Sequence, residues 1–145
     1  MNPSKRRKAR RYALQGLYQW QLTGDSPAAI YERILVDVNL NKTDILYLEE
    51  LITQIPVHQE EIDKTLSTKL SRKLTEVDPV ELAILRMGTY ELLKRLEIPY
   101  RVVINEAVEQ TKTFGAEDGH KFVNGVLDKV STKIRAVEVQ AGKKG

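Results

Sequence analysis

Cysteine is absent from the 145 residues, so disulfides, thiolate metal sites and cysteine nucleophiles are excluded. That absence fits a reducing compartment, and the expected location is the cytoplasm. No apolar run approaches the ~20 residues that span a bilayer, so no membrane segment is expected. Nor does an apolar signal-peptide core with a cleavage site follow the basic N-terminus. Histidine occurs only at His58 and His120, widely separated and without acidic partners at metal-ligand spacing. Each reads as an exposed helix residue, although His120 could add a phosphate contact. Neither common phosphate-binding glycine loop is present. Glu106 and Glu109 stand three apart, as many solvated acid pairs do, and belong to no recognisable catalytic constellation. The expectation is a protein without catalytic activity, cofactor or metal.

What the chain does have is segregated charge. The net charge of +3 is bland. Yet residues 1–11 carry six basic side chains and no acid, and Lys143 and Lys144 add two more at the other end. The stretch between them holds fifteen basic against twenty acidic residues. A basic block of this kind favours a polyanion, nucleic acid first and an acidic membrane surface second. A hydrophobic share of 41% beside 30% charged residues suits a folded globular chain rather than a disordered one.

Almost every segment has helical periodicity, and no strand alternation stands out. The first helix is expected from about Ser4 to Leu22, ended by Thr23-Gly24-Asp25. Ser26-Pro27 reads as a hydroxyl cap and a first-turn proline for a second helix with Ile30, Ile34, Leu35 and Val38 on one face. A third carries Ile45, Leu48, Leu51, Ile52 and Ile55 and stops near Pro56. A fourth, more polar piece carries Ile62, Leu66 and Leu70. The fifth starts at an Asp78-Pro79 cap, with Glu81 completing a capping box, and runs to Ile98-Pro99. It is apolar nearly all round, which predicts a buried central helix. A sixth, YRVVINEAVEQTKTF, closes on Gly115 as a glycine cap. The last begins after Asp118, and Gly125 within it is expected to permit close packing. Seven helical pieces predict an all-α bundle and one domain over 1–145. Its helical halves are expected at about 1–75 and 76–137, with a frayed tail over 138–145.

On a helical wheel, Ala9, Ala13, Gly16, Leu17 and Trp20 share a sector, and Arg6 and Arg10 fall at its edge. Arg7 and Arg11 align with Leu14 and Tyr18 on the neighbouring sector. Tyr18 and Trp20 read as core or core-edge residues. The buried stripe therefore turns basic toward the N-terminus. One physical reading is that the first two turns project past the packed body, where arginine meets an anion. The charges oppose the helix dipole, so local stability does not explain them. A phosphate backbone does, since arginine offers it a planar fork. The competing reading is a solvated basic tail.

Two stretches carry a resemblance. RRKARRYALQGLYQWQL, the segment LAILRMGTYELLKRLEIPYRVVINEAVEQTKTFGAEDGHKFVNGVLDK and the spacing between them closely resemble the NusB family of bacterial transcription antitermination factors. Residues 25–75 match only in helical pattern. The resemblance implies an all-α fold of two small helical subdomains. It implies binding to boxA RNA in nascent ribosomal RNA transcripts, together with NusE, also a small-subunit ribosomal protein, within an antitermination complex on RNA polymerase. It implies an RNA-binding role for Arg6, Arg7 and Arg10, with Lys8 and Arg11 as lesser members. It further implies RNA-side residues Asp118, Gly119, Lys121 and Phe122, and a NusE contact at Glu81. Glycine at 119 departs from the small hydroxyl residue associated with that place.

The residues around 119 also have their own chemistry. A helix start offers backbone N–H groups and a favourable dipole to phosphate, and Lys121 adds charge. Asp118 reads either as an N-cap or as an acceptor for a base amino group. Phe122 reads either as core or as a stacking surface for single-stranded bases. Two functions from different classes remain: an RNA-binding adaptor, or a helical protein–protein adaptor whose basic start does not bind RNA specifically. An RNA methyltransferase with a NusB-like domain is not expected, because 145 residues leave no room for its cofactor-binding portion.

Overall fold

The computed structural model describes residues 2–144, and all regular structure among them is helical. Eight α-helices follow one another: α1 (Pro3–Thr23), α2 (Pro27–Leu35), α3 (Ile45–Val57), α4 (Gln59–Ser67), α5 (Pro79–Lys94), α6 (Tyr100–Phe114), α7 (Gly119–Ile134) and α8 (Ala136–Lys144). A 3-10 turn, Leu74–Glu76, precedes α5. The chain forms two compact units, Met1–Gln59 and Glu60–Gly145. The division falls earlier than the expected 75/76, for a chemical reason. Asp63 of α4 takes two 2.9 Å hydrogen bonds from the Arg86 guanidinium of α5. Ile62 and Leu66 of α4 are fully buried.

In the first unit, α1 packs against α2 and α3. The Asn2 side chain caps α1 by accepting from the Ser4 and Lys5 N–H groups, and Pro3 fits the first turn. At the far end Gly24 takes the left-handed conformation, φ 70°, and its N–H donates to the Trp20 carbonyl. Gly16 explains the close packing: a Cβ there would stand 2.9 Å from Ile34 Cδ1 and 3.1 Å from Ile52 Cδ1. Ser26 makes no side-chain cap, so α2 starts on Pro27 alone. Trp20 is half-buried, whereas Tyr18 is exposed at 37%, outside the core expected for it.

In the second unit, α5 is the buried centre that its all-round apolarity predicts. It ends at Lys94, a turn earlier than Ile98-Pro99 suggested, and leaves Leu96 exposed. The helix end is held from the residue that follows α7. Arg135, 6% exposed, donates to the carbonyls of Glu91, Leu92, Arg95 and Ile98. The Glu91 and Arg95 carbonyls also accept from the Arg95 and Ile98 N–H groups, so the guanidinium adds a second donor there and serves the otherwise orphan Leu92 and Ile98 carbonyls. Its remaining partner is Glu138, at 2.7 Å. Glu138 in turn accepts from the Tyr100 N–H at the start of α6. The tail expected to fray is therefore helical through Lys144 and tied down, with Val139 buried. Gly145 lies outside the described residues. Two glycines also depart from expectation. Gly115 has φ −90°, not a left-handed cap; it is needed because a Cβ would meet Thr111 at 2.9 Å. Gly125 is exposed, and a Cβ there would meet nothing within 4 Å, so it permits no close packing.

Burial alone would raise the Glu138 carboxyl, but the Tyr100 N–H and the Arg135 bond and charge outweigh it and hold the group below the usual range. A lowered carboxyl gives stability that is complete above the unfolded-state value of about 4.3 and is lost as pH falls through the lowered value. Glu138→Gln is expected to weaken the fold near neutrality, and the gap to the parent should close below about pH 4. Urea unfolding at several pH values measures this, and a gap that does not change with pH would refute the pairing.

Candidate nucleic-acid interface

The basic block occupies the first two turns of α1, and it divides by side. Arg6 and Arg10 turn inward, at 9% and 4% exposure. The Arg6 guanidinium lies 4.2 Å from the centre of the Tyr47 ring, and that of Arg10 lies 5.6 Å from it. Tyr47 is itself buried in the first turns of α3. Cation–π attraction of this kind is worth about 0.5–2 kcal/mol, more where water is excluded. Arg6 also pairs with Asp44 at 3.6 Å. Asp44 has three jobs. It caps α3 by accepting from the Tyr47 N–H, it pairs with Arg6, and its own N–H donates to the Lys5 carbonyl at 3.1 Å.

The start of α1 thus packs on the start of α3 within the first unit. It does not project past the packed body. Arg7, Lys8 and Arg11 are exposed. Their spacing places them on one outer face, and the first turn carries no acid. Three cations on a rigid helix face form a surface that fits a row of phosphates.

The second unit holds the other candidate patch, at the junction of the turn before α5 and the start of α7. Asp118 sits at φ 65°, the one non-glycine residue with positive φ among the described residues. Aspartate tolerates this conformation, but here its side chain caps none of the helix N–H groups. It makes an exposed 3.5 Å pair with Lys121 instead. The capping reading of Asp118 is therefore overturned. Phe122 is half-buried, and the Arg72 guanidinium covers it at 4.3 Å from the ring centre. His120 and His58 are half-buried rather than exposed.

Gly119 is buried because Glu81 of α5 comes up against it. A Cβ at 119 would stand 2.8 Å from Glu81 Oε2 and 3.3 Å from Thr111 Cγ2. Asp78 caps α5 as its position predicts, accepting from the Val80 and Glu81 N–H groups. Glu81 does not close the capping box, since its carboxylate turns toward Gly119. Only 7% of Glu81 is exposed. Burial pushes its carboxyl above the usual range, the Asp78 charge adds to the rise, and Arg72 offsets part of it. No cluster of three or more potential metal ligands occurs among the described residues.

The NusB family model matches residues 7–132. The chain belongs to the NusB family. It is 52% identical over 138 residues to a transcription antitermination protein NusB of Nitrosococcus oceani, covering 95% of this chain and 93% of that one. To the protein of the same name from Pseudomonas savastanoi it is 49% identical, covering 97% and 86%. It is also similar, at TM-score 0.78 and 28% identity, to a chain in a crystal structure of antitermination factors NusB and NusE in complex with double-stranded RNA. That match covers 88% of this chain and 96% of the other. The all-helical architecture expected from NusB resemblance is the one observed.

Of the NusB-type residues named from the sequence, Arg7, Lys8, Arg11, Asp118 and Lys121 are exposed. Arg6, Arg10, Gly119 and Glu81 are buried, and Phe122 lies under Arg72. Sequence reading missed Asp44, Tyr47 and Arg72. Asp44 had a legible signal as an acid directly before an apolar-periodic run. The two burial classes in α1 lead to opposite consequences. Arg6→Ala is expected to cost about 1–2 kcal/mol of stability, through the lost ring contact and stem packing. Lys8→Ala should stay within about 0.5 kcal/mol of the parent. Urea unfolding compares them, and equal effects would contradict the division.

Proposed function

We propose that this chain acts as a transcription antitermination factor that binds boxA RNA of nascent ribosomal RNA transcripts together with NusE. In this reading it joins an antitermination complex on RNA polymerase and performs no chemistry on the RNA. The observation that carries the reading is the exposed face of Arg7, Lys8 and Arg11, held rigid from beneath and free of acids in its first turn. Its relatives' shared name and the RNA-bound NusB–NusE structure support it. Arg6 and Arg10 support RNA binding by fixing the helix start rather than by meeting phosphate first. In the second unit, the exposed Lys121 and Asp118 offer mixed charge, which suits base edges as well as phosphate, while Gly119, buried with its N–H bonded to the Ala116 carbonyl, shapes the surface beneath them.

The proposed NusE contact at Glu81 rests on chemistry rather than area. Its carboxylate is nearly buried and accepts no hydrogen bond from the described residues. An incoming cationic side chain would satisfy it.

Fluorescence anisotropy with a labelled boxA strand and a scrambled strand tests the reading. Log affinity should fall with log salt at about −0.7 per phosphate contact, giving roughly −2 to −4 for three to five contacts. NusE should tighten binding to boxA over the scramble. An Arg7→Ala/Arg11→Ala variant should bind more weakly, with a slope shallower by about 1.4. Equal binding of both strands, or an unaffected variant, would favour a protein–protein adaptor instead.

A further inference from the structure

The stacking surface in the second unit is not the one that a lone phenylalanine would suggest. Phe122 presents its ring to Arg72, and a base cannot lie on that face while the guanidinium is there. Arg72 itself is exposed, and its ring contact with Phe122 fixes the guanidinium at the surface. It also lines an open cleft of about 550 Å³ with Ser67, Leu70, Ser71, Lys73, Leu74 and Glu76.

The cleft's chemistry narrows its occupant. The lining combines the cations Arg72 and Lys73 with the acid Glu76 and the apolar Leu70 and Leu74, so it is not a bare anion trap. Two serine hydroxyls add groups that both donate and accept. A flat, neutral ring bearing polar edges fits this lining better than a phosphate alone. Arginine planes are recurrent stacking partners of unpaired bases. Here the plane is prearranged, because the Phe122 ring backs it.

We propose that Arg72, backed by Phe122 at the rim of the Ser67–Glu76 cleft, stacks on an unpaired base of single-stranded RNA. This deepens the RNA-binding reading and rests on it. Phe122 then acts as a positioning residue, and the base meets arginine rather than phenylalanine.

The test uses boxA-type strands carrying 2-aminopurine at one position at a time, whose fluorescence is quenched by stacking. The full chain is titrated as the parent, Arg72→Lys, Arg72→Ala and the Arg7→Ala/Arg11→Ala variant. One position should be quenched by the parent. That quench should vanish in both Arg72 variants, and affinity should fall about 5- to 160-fold, the equivalent of one lost stack. Lysine keeps the charge and loses the plane, so Arg72→Lys should retain the parent's salt slope. Parent-like binding and quenching in Arg72→Lys, with loss only in Arg72→Ala, would reduce Arg72 to a phosphate contact and overturn the stack. Parent-like behaviour of both would remove Arg72 from the interface. If the Arg7/Arg11 variant still binds weakly in that case, only this inference falls. If that variant also binds like the parent, the RNA reading falls with it.

Discussion

In the first unit, the decisive interaction is the guanidinium of Arg6 over the ring of Tyr47, 4.2 Å apart and largely shut off from water. A buried arginine is costly unless something replaces its hydration. Here an aromatic face and the Asp44 carboxylate replace part of it, while Arg6 Nε and Nη1 are buried without a hydrogen-bond partner among the described residues. Once Arg6 and Arg10 are committed to that ring, the helical repeat leaves no choice for the rest. Arg7, Lys8 and Arg11 must point outward. The same six cations that look uniform in sequence thus split into anchors and a presented face. A start of α1 held only by its own backbone would fray, since cations oppose the dipole there. The Asp44 N–H bonded to the Lys5 carbonyl and the Asn2 cap counter that tendency.

The second unit uses a similar device at the opposite polarity. Four carbonyls at and beyond the end of α5 converge on Arg135, and Glu138 completes its coordination while capping α6. That arrangement lets α5 stop at Lys94 and leaves α6 and α7 packed beside it. At the other end of α5, Glu81 fills the space that a side chain at 119 would take. Glycine at that position and the inward carboxylate are therefore one feature. A serine there would have to move Glu81, and a hydroxyl could then hydrogen-bond to it.

Much of the fold was legible. Pro27, Pro79 and Gly24 mark helix ends by steric rules that hold in any context, and α6 matched its predicted span, Tyr100–Phe114. The wheel placed Arg6 and Arg10 at the edge of the buried sector. What it could not supply was the partner from another helix. Without Tyr47 in view, a basic residue on a core stripe looked like a helix projecting past the body. Arg72 and Arg135 were opaque for the same reason, as was the turn of Glu81 toward Gly119, since these depend on groups that lie far off in sequence. Asp118 misled because a capping residue type sat at a capping position, and only the backbone torsion showed that its side chain turns away.

The division of the basic block can be observed directly by NMR of the arginine side-chain Nε–Hε groups during titration with single-stranded RNA. The account predicts that Arg7 and Arg11 signals shift as RNA is added. The Arg6 signal should be protected from solvent exchange beforehand and stay in place throughout. A large RNA-induced shift at Arg6, with Arg7 and Arg11 unmoved, would contradict it.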